Sequence, residues 1–225
     1  MKELDQYSFF KYLEYSVDSS DLQQLAASIL KEDGVSYAIA AFGPKLSYKL
    51  FGDDSISKNE LKMPSTPTDL FIWIQGNEES DVLTRAQEID SSIPAEATLE
   101  LEQDGFFQEG TQDFRGFIDG SANPEDQDVL NTAIIKLGES KTNKIILTPK
   151  QASSDVLPVR NNELKKVSPF GDLKEDGVYF LAFSCEERSL PHIVQNVDNK
   201  EVDLSAAETG SYFYAPSLNQ LKKIC

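Results

Sequence analysis

Basic residues are scarce in this chain: 21 Lys and Arg stand against 38 Asp and Glu, for a formal charge of −17. Nucleic-acid phosphates demand a basic face, so DNA and RNA are excluded as partners. Long apolar runs are missing too. None approaches the roughly 20 residues that cross a bilayer, so neither a transmembrane helix nor a membrane partner is expected. Cysteine is down to two, Cys185 and Cys225. That excludes a disulfide framework and leaves free thiols in a reducing compartment as the expectation. The start, Met1-Lys-Glu-Leu-Asp-Gln6, has none of the basic, apolar and small-residue regions of a secretory signal, which predicts a cytoplasmic protein. Histidine occurs once, as His192, and arginine four times, as Arg85, Arg115, Arg160 and Arg188.

What remains is the profile of a globular protein, 40% apolar and 26% charged. The acids lie along the whole chain, as at Asp53-Asp54 and Glu125-Asp126, which reads as a solvated surface. Phe9 to Val17 is aromatic and β-branched enough for a strand. Ser19-Ser20-Asp21 then announces a helix through Leu22, Leu25, Ala26, Ile29 and Leu30, stopped by Gly34. Strands are predicted over 36–42, 46–51, 70–74 and 97–101, the first two joined as a hairpin at Gly43-Pro44, with a helix over 80–89. This half orders as a split β-α-β pattern. The second half repeats the outline with strands at 132–137, 144–147, 164–167, 178–183 and 211–214 and a helix over 186–197. The boundary is placed at 103/104, giving halves 1–103 and 104–225.

One stretch carries chemistry. Arg115-Gly-Phe-Ile-Asp-Gly-Ser-Ala-Asn-Pro124 is rich in turn formers and aims a single carboxylate, Asp119. Two uses fit it. The carboxylate can accept the amide hydrogens of Ser121 or Ala122 and cap the turn, or it can move a proton at a site. The loop is preceded by Asp104-Gly-Phe-Phe107, and the chain closes with Thr209-Gly-Ser-Tyr-Phe-Tyr-Ala-Pro-Ser-Leu218, an aromatic strand running into a Pro-started helix.

In that order, these segments resemble the dye-decolourising peroxidase family. Asp69-Leu-Phe-Ile-Trp-Ile74, Val167-Ser-Pro-Phe-Gly171 and Gly177-Val-Tyr-Phe-Leu-Ala-Phe183 extend the likeness from about Phe9 to Leu218. The resemblance implies an α+β fold of two ferredoxin-like halves whose antiparallel sheets pack together. It also implies haem in the second half, with an axial histidine on one side of the iron and an acid and an arginine on the other. Asp119 falls at the family's acid. The arginine position falls on or beside Pro149, with Lys150 next, and neither supplies a guanidinium. Arg115, beside the acid loop, is the one stand-in by position. The axial histidine lies in a Ser-His-hydrophobic triplet, which here reads Ser154-Asp155-Val156. The helical insertion that walls the haem pocket is also missing between Pro149 and Ser153.

His192 stands off the apolar stripe Leu190, Ile193, Val194 and Val197 of its own helix, so it is read as facing solvent. Asp155 could hold a hard metal with Asp119 or Asp113, but no calcium-loop spacing supports that. The sequence therefore predicts a shortened, degenerate family member without haem, retained for binding or assembly. The alternative is a haem-dependent peroxidase with an unusual iron ligand such as Asp155. A non-haem enzyme built on Asp119 alone is a third reading. A homo-oligomer is expected, because a shortened second half uncovers apolar surface, and a small-molecule ligand in that half is a further expectation.

Overall fold

The computed structural model describes residues 7–19, 21–31, 33–52, 67–106, 143–149, 164–171, 176–184 and 210–225. The strands are β1 (Phe9–Ser16), β2 (Ser36–Phe42), β3 (Leu70–Gly76), β4 (Thr98–Phe106), β5 (Asn143–Pro149), β6 (Leu164–Gly171), β7 (Asp176–Ser184) and β8 (Ser211–Ala215). The helices are α1 (Gln23–Leu30), α2 (Pro44–Phe51), α3 (Glu79–Asp90) and a short α4 (Leu218–Leu221). Strand order is β4-β1-β3-β2-β8-β5-β7-β6, and every pairing is antiparallel. In the first half the order 4-1-3-2, with α1 and α3 as the crossovers, is the ferredoxin-like arrangement the pattern predicts.

The halves meet at a narrow seam, since β2 and β8 share one paired position, Phe42 with Tyr214. That seam lets the two halves of the sheet fold over and face each other. Strand alternation then sorts side chains by parity. On β1 and β3, Leu13, Tyr15, Leu70, Ile72 and Ile74 face α1 and α3 in one core. Phe10, Tyr12, Phe71 and Trp73 face the opposite way and meet Tyr179 and Leu181 of β7 and Phe213 of β8 in a second core. Each fully buried Leu or Ile contributes about 1.5–3 kcal/mol, so the two cores together carry the fold.

Three expectations are corrected. Residues 46–51 form a helix rather than the second strand of a hairpin. Pro44 occupies the first turn of α2 and Gly52 closes it in the left-handed region at φ 68°, which are start and stop signals for a helix. Ser168-Pro-Phe-Gly171 continues β6 past the strand expected over 164–167, with Pro169 opposite Val178. Proline is tolerated there because β6 is the last strand of the described sheet, where one side of the strand has no ladder to complete among the described residues. β4 runs on through Glu102–Phe106, past the strand expected over 97–101 and across the boundary placed at 103/104, pairing with β1 as far as Phe9.

The helix α1 ends at Leu30, before Gly34, for a tertiary reason. Arg85 on α3 is 2% exposed, and its guanidinium donates to the carbonyls of Ser28 at 2.6 Å and Lys31 at 2.9 Å. A side chain from another helix thereby serves carbonyls at the end of α1, beside the Lys31 amide that donates to Ser28 O at 3.2 Å. The strand predicted over 132–137 and the helix over 186–197 lie outside the described residues.

Candidate functional site

The residues singled out in the sequence divide by position. Asp119, Asp155, Arg115, Lys150 and His192 lie outside the described residues. Pro149 is the last residue of β5, opposite Tyr179 of β7. Arg85 is committed to α1 and is not a free cation for a pocket. Among the described residues no group of three or more His, Cys, Asp or Glu is placed to hold a metal ion. Nor is any helix there long and apolar enough to cross a membrane.

The structure does bring together a polar constellation in the second core. Glu14 shares the inward parity of Phe10 and Tyr12 on β1 and is 2% exposed. It sits at a register shift between β1 and β4, where Glu14 pairs with Leu101 and Tyr15 with Leu99. Such a bulge re-aims the local side chain. One carboxylate oxygen of Glu14 accepts from the Tyr179 hydroxyl at 3.0 Å, the other from Thr68 Oγ1 at 2.7 Å. Tyr179 is fully buried, and its ring stacks on that of Tyr12 with centroids 3.9 Å apart and planes 11° from parallel. Tyr12 in turn stacks on Trp73 at 6.4 Å.

Burial pushes the Glu14 carboxyl above its ordinary range, and the two donated hydrogen bonds pull it only part of the way back. Burial likewise drives the Tyr179 phenol well up, with the neighbouring Glu14 adding to the effect. Among the described residues no cation pairs with Glu14, so burial favours its protonated form more than water would. Sequence reading passed over Glu14. Its signal was parity: one acid among the aromatic residues on the even positions of β1.

On the other face of β1, Lys11 is 5% exposed and reaches Glu102 at 2.7 Å and Asp104 at 2.6 Å on β4. Burial lowers its affinity for the proton, but the hydrogen bonds to Asp104 and Glu102 outweigh that and leave the ammonium raised. It is a clamp on the edge strand, held charged, and not a nucleophile.

No family model matches the chain. A dye-decolorizing peroxidase of Mycolicibacterium paratuberculosis is 24% identical over 213 aligned residues, which take in 70% of this chain and 60% of that protein. The chain thus spans about three fifths of the length of the curated relative it matches. Among solved structures, a dye-decolorizing protein from V. cholerae aligns with a TM-score of 0.79 at 17% identity, covering 96% of this chain and 96% of that one. A dye-decolorizing peroxidase from Bacteroides thetaiotaomicron gives 0.76 at 16%, covering 98% and 96%. A variant of Rhodococcus jostii DypB, solved in complex with heme, gives 0.75 at 16%, covering 97% and 96%. At such identities the structural likeness establishes the fold, and activity has to be argued from the site.

Proposed function

We propose that this chain, a relative of the dye-decolourising peroxidases in sequence and in fold, has given up haem and peroxide chemistry and serves in binding or assembly. The observation that carries the reading is the donor set. With a single histidine in 225 residues, and Asp155 where the resemblance expects the axial imidazole, the chain has no neutral nitrogen donor at the iron position. A carboxylate facing an apolar porphyrin cleft adds a desolvation cost that an imidazole does not. Arginine is equally short: Arg85 is held by α1, and Pro149 ends β5 with no charge to offer. These residues do not fit haem. The work left to such a fold is association, either with copies of itself or with a small molecule in the second half.

The second reading is a haem-dependent peroxidase with an unusual iron ligand, and it draws on a relative of the same fold solved with heme. Haemin titration of the purified chain separates the two. The expected result is no stoichiometric uptake and only aromatic absorption, whereas a sharp Soret shift at one equivalent would overturn the proposal. In the same titration Asp155→His is expected to gain some haem binding. Light scattering tests the association, and a monomer at every concentration across the micromolar range would remove the self-assembly part.

A further inference from the structure

Glu14 and Tyr179 are 165 positions apart and come from opposite halves, yet they share a hydrogen bond with both side chains buried. We propose that this pair is a proton-controlled latch between the halves: the interior stays closed while Glu14 carries its proton and loosens when Glu14 ionises. The geometry supplies the reason. The ionised form has two hydroxyl donors, Thr68 and Tyr179, and among the described residues no cationic partner, and the rings of Tyr12 and Tyr179 are stacked beside it. Two neutral donors do not replace bulk water around a full charge, so ionisation favours any opening that rehydrates the carboxylate.

The charged neighbours on each packed element set the background. On β1 and β4, Lys11, Glu102 and Asp104 satisfy one another on the opposite face. From β3, Phe71 and Trp73 are uncharged, and β7 contributes Tyr179. On β6, Lys165 and Lys166 stand in register with Ala182 and Leu181. Burial keeps Tyr179 neutral well into the alkaline range and raises the Glu14 carboxyl above its ordinary value, so Glu14 ionises before the Tyr179 phenol.

The sign follows from the raised carboxyl. The folded chain holds the Glu14 proton more tightly than the unfolded one. Stability from this group is therefore complete below the ordinary Glu range and drains as pH climbs through the folded value. Because Tyr179 donates to Glu14 and favours its ionised form, removing the hydroxyl moves the transition to higher pH.

Trp73 reports on the latch directly. It is the chain's single tryptophan, it is fully buried, and it stacks on Tyr12. The experiment follows Trp73 emission and acrylamide quenching of the full chain from about pH 5 to about pH 8.5. In the parent the quenching constant is expected to rise about twofold or more as the core opens locally. Glu14→Gln, which keeps shape and hydrogen bonding without the titration, is expected to stay flat. Tyr179→Phe is expected to shift the transition upward in pH. A parent without a transition, or a Glu14→Gln chain with the same transition as the parent, overturns the latch.

Discussion

Arg85 of α3 donates to the carbonyl oxygen of Ser28 at 2.6 Å, so one buried guanidinium ends a helix 57 positions earlier in the chain. The same group also reaches Lys31 O and, at 3.2 Å, Glu88. Arg85→Ala leaves the Lys31 carbonyl without its donor and the Ser28 carbonyl with the Lys31 amide alone, at 3.2 Å, and is expected to cost about 1–3 kcal/mol. Arg85→Lys should recover only part of this, because an ammonium cannot reproduce the planar fork. Urea unfolding of the three chains, with unchanged m-values, measures the loss.

A Cβ on Gly43 would collide with the carbonyl oxygen of Thr68 and stand 3.2 Å from the Cα of Asp69. Gly43 also donates its amide to Asp69 O at 2.8 Å, so the two segments cannot part without losing a bond. Gly43→Ala is expected to cost about 1–3 kcal/mol through overpacking. Because Thr68 donates to Glu14, the displacement should also disturb the inner core. Thermal unfolding gives the cost, and Trp73 emission at neutral pH shows whether the strain reaches the interior.

Much of the first half was legible because its strands and helices obey their own periods. Phe9–Ser16, Ser36–Phe42 and Leu70–Gly76 alternate or run apolar between turn residues, and α3 carries an apolar spacing. Errors arose where one residue carries two meanings. Gly43-Pro44 is a turn signal and also a helix start, and Gly52 decided for the helix only through its positive φ. Pro169 and Asp104-Gly105 fall past the ends of the expected strands, yet both lie in strands at the edges of the described sheet, where an unmet N–H or a missing side chain costs little. Glu14 escaped notice because an acid in a strand ordinarily faces water. Its burial depends on Tyr179 and Thr68, which no local pattern connects to it.

The Gly116–Pro124 stretch yields a prediction that separates a turn from an active site. If Asp119 accepts the amides of its own turn, Asp119→Asn keeps most of that bonding and Asp119→Ala costs about 1–2 kcal/mol, as for a lost cap. Thermal unfolding beside the parent decides. An Asp119→Ala chain as stable as the parent, or more stable, would mean the carboxylate is held at the fold's expense, and that result favours the peroxidase reading.

Lys11 tests whether a buried cation can be spared. Its side chain is 6% exposed, while Glu102 and Asp104 keep 50% and 74% of theirs in solvent. Removing the charge therefore leaves two carboxylates that water can still serve, and an apolar side chain of similar length can fill the space. Lys11→Met is expected to change stability by less than about 1 kcal/mol at neutral pH, whereas Lys11→Ala should cost about 2 kcal/mol for the vacated volume. The alkaline side distinguishes them further. The folded ammonium is raised, so its contribution is complete below the unfolded value of 10.5 and is lost as pH rises through the folded one. Guanidinium unfolding near neutrality and again above that pH should show the parent losing stability relative to Lys11→Met. Parallel curves for the two chains would mean the Lys11 clamp adds nothing beyond its packing.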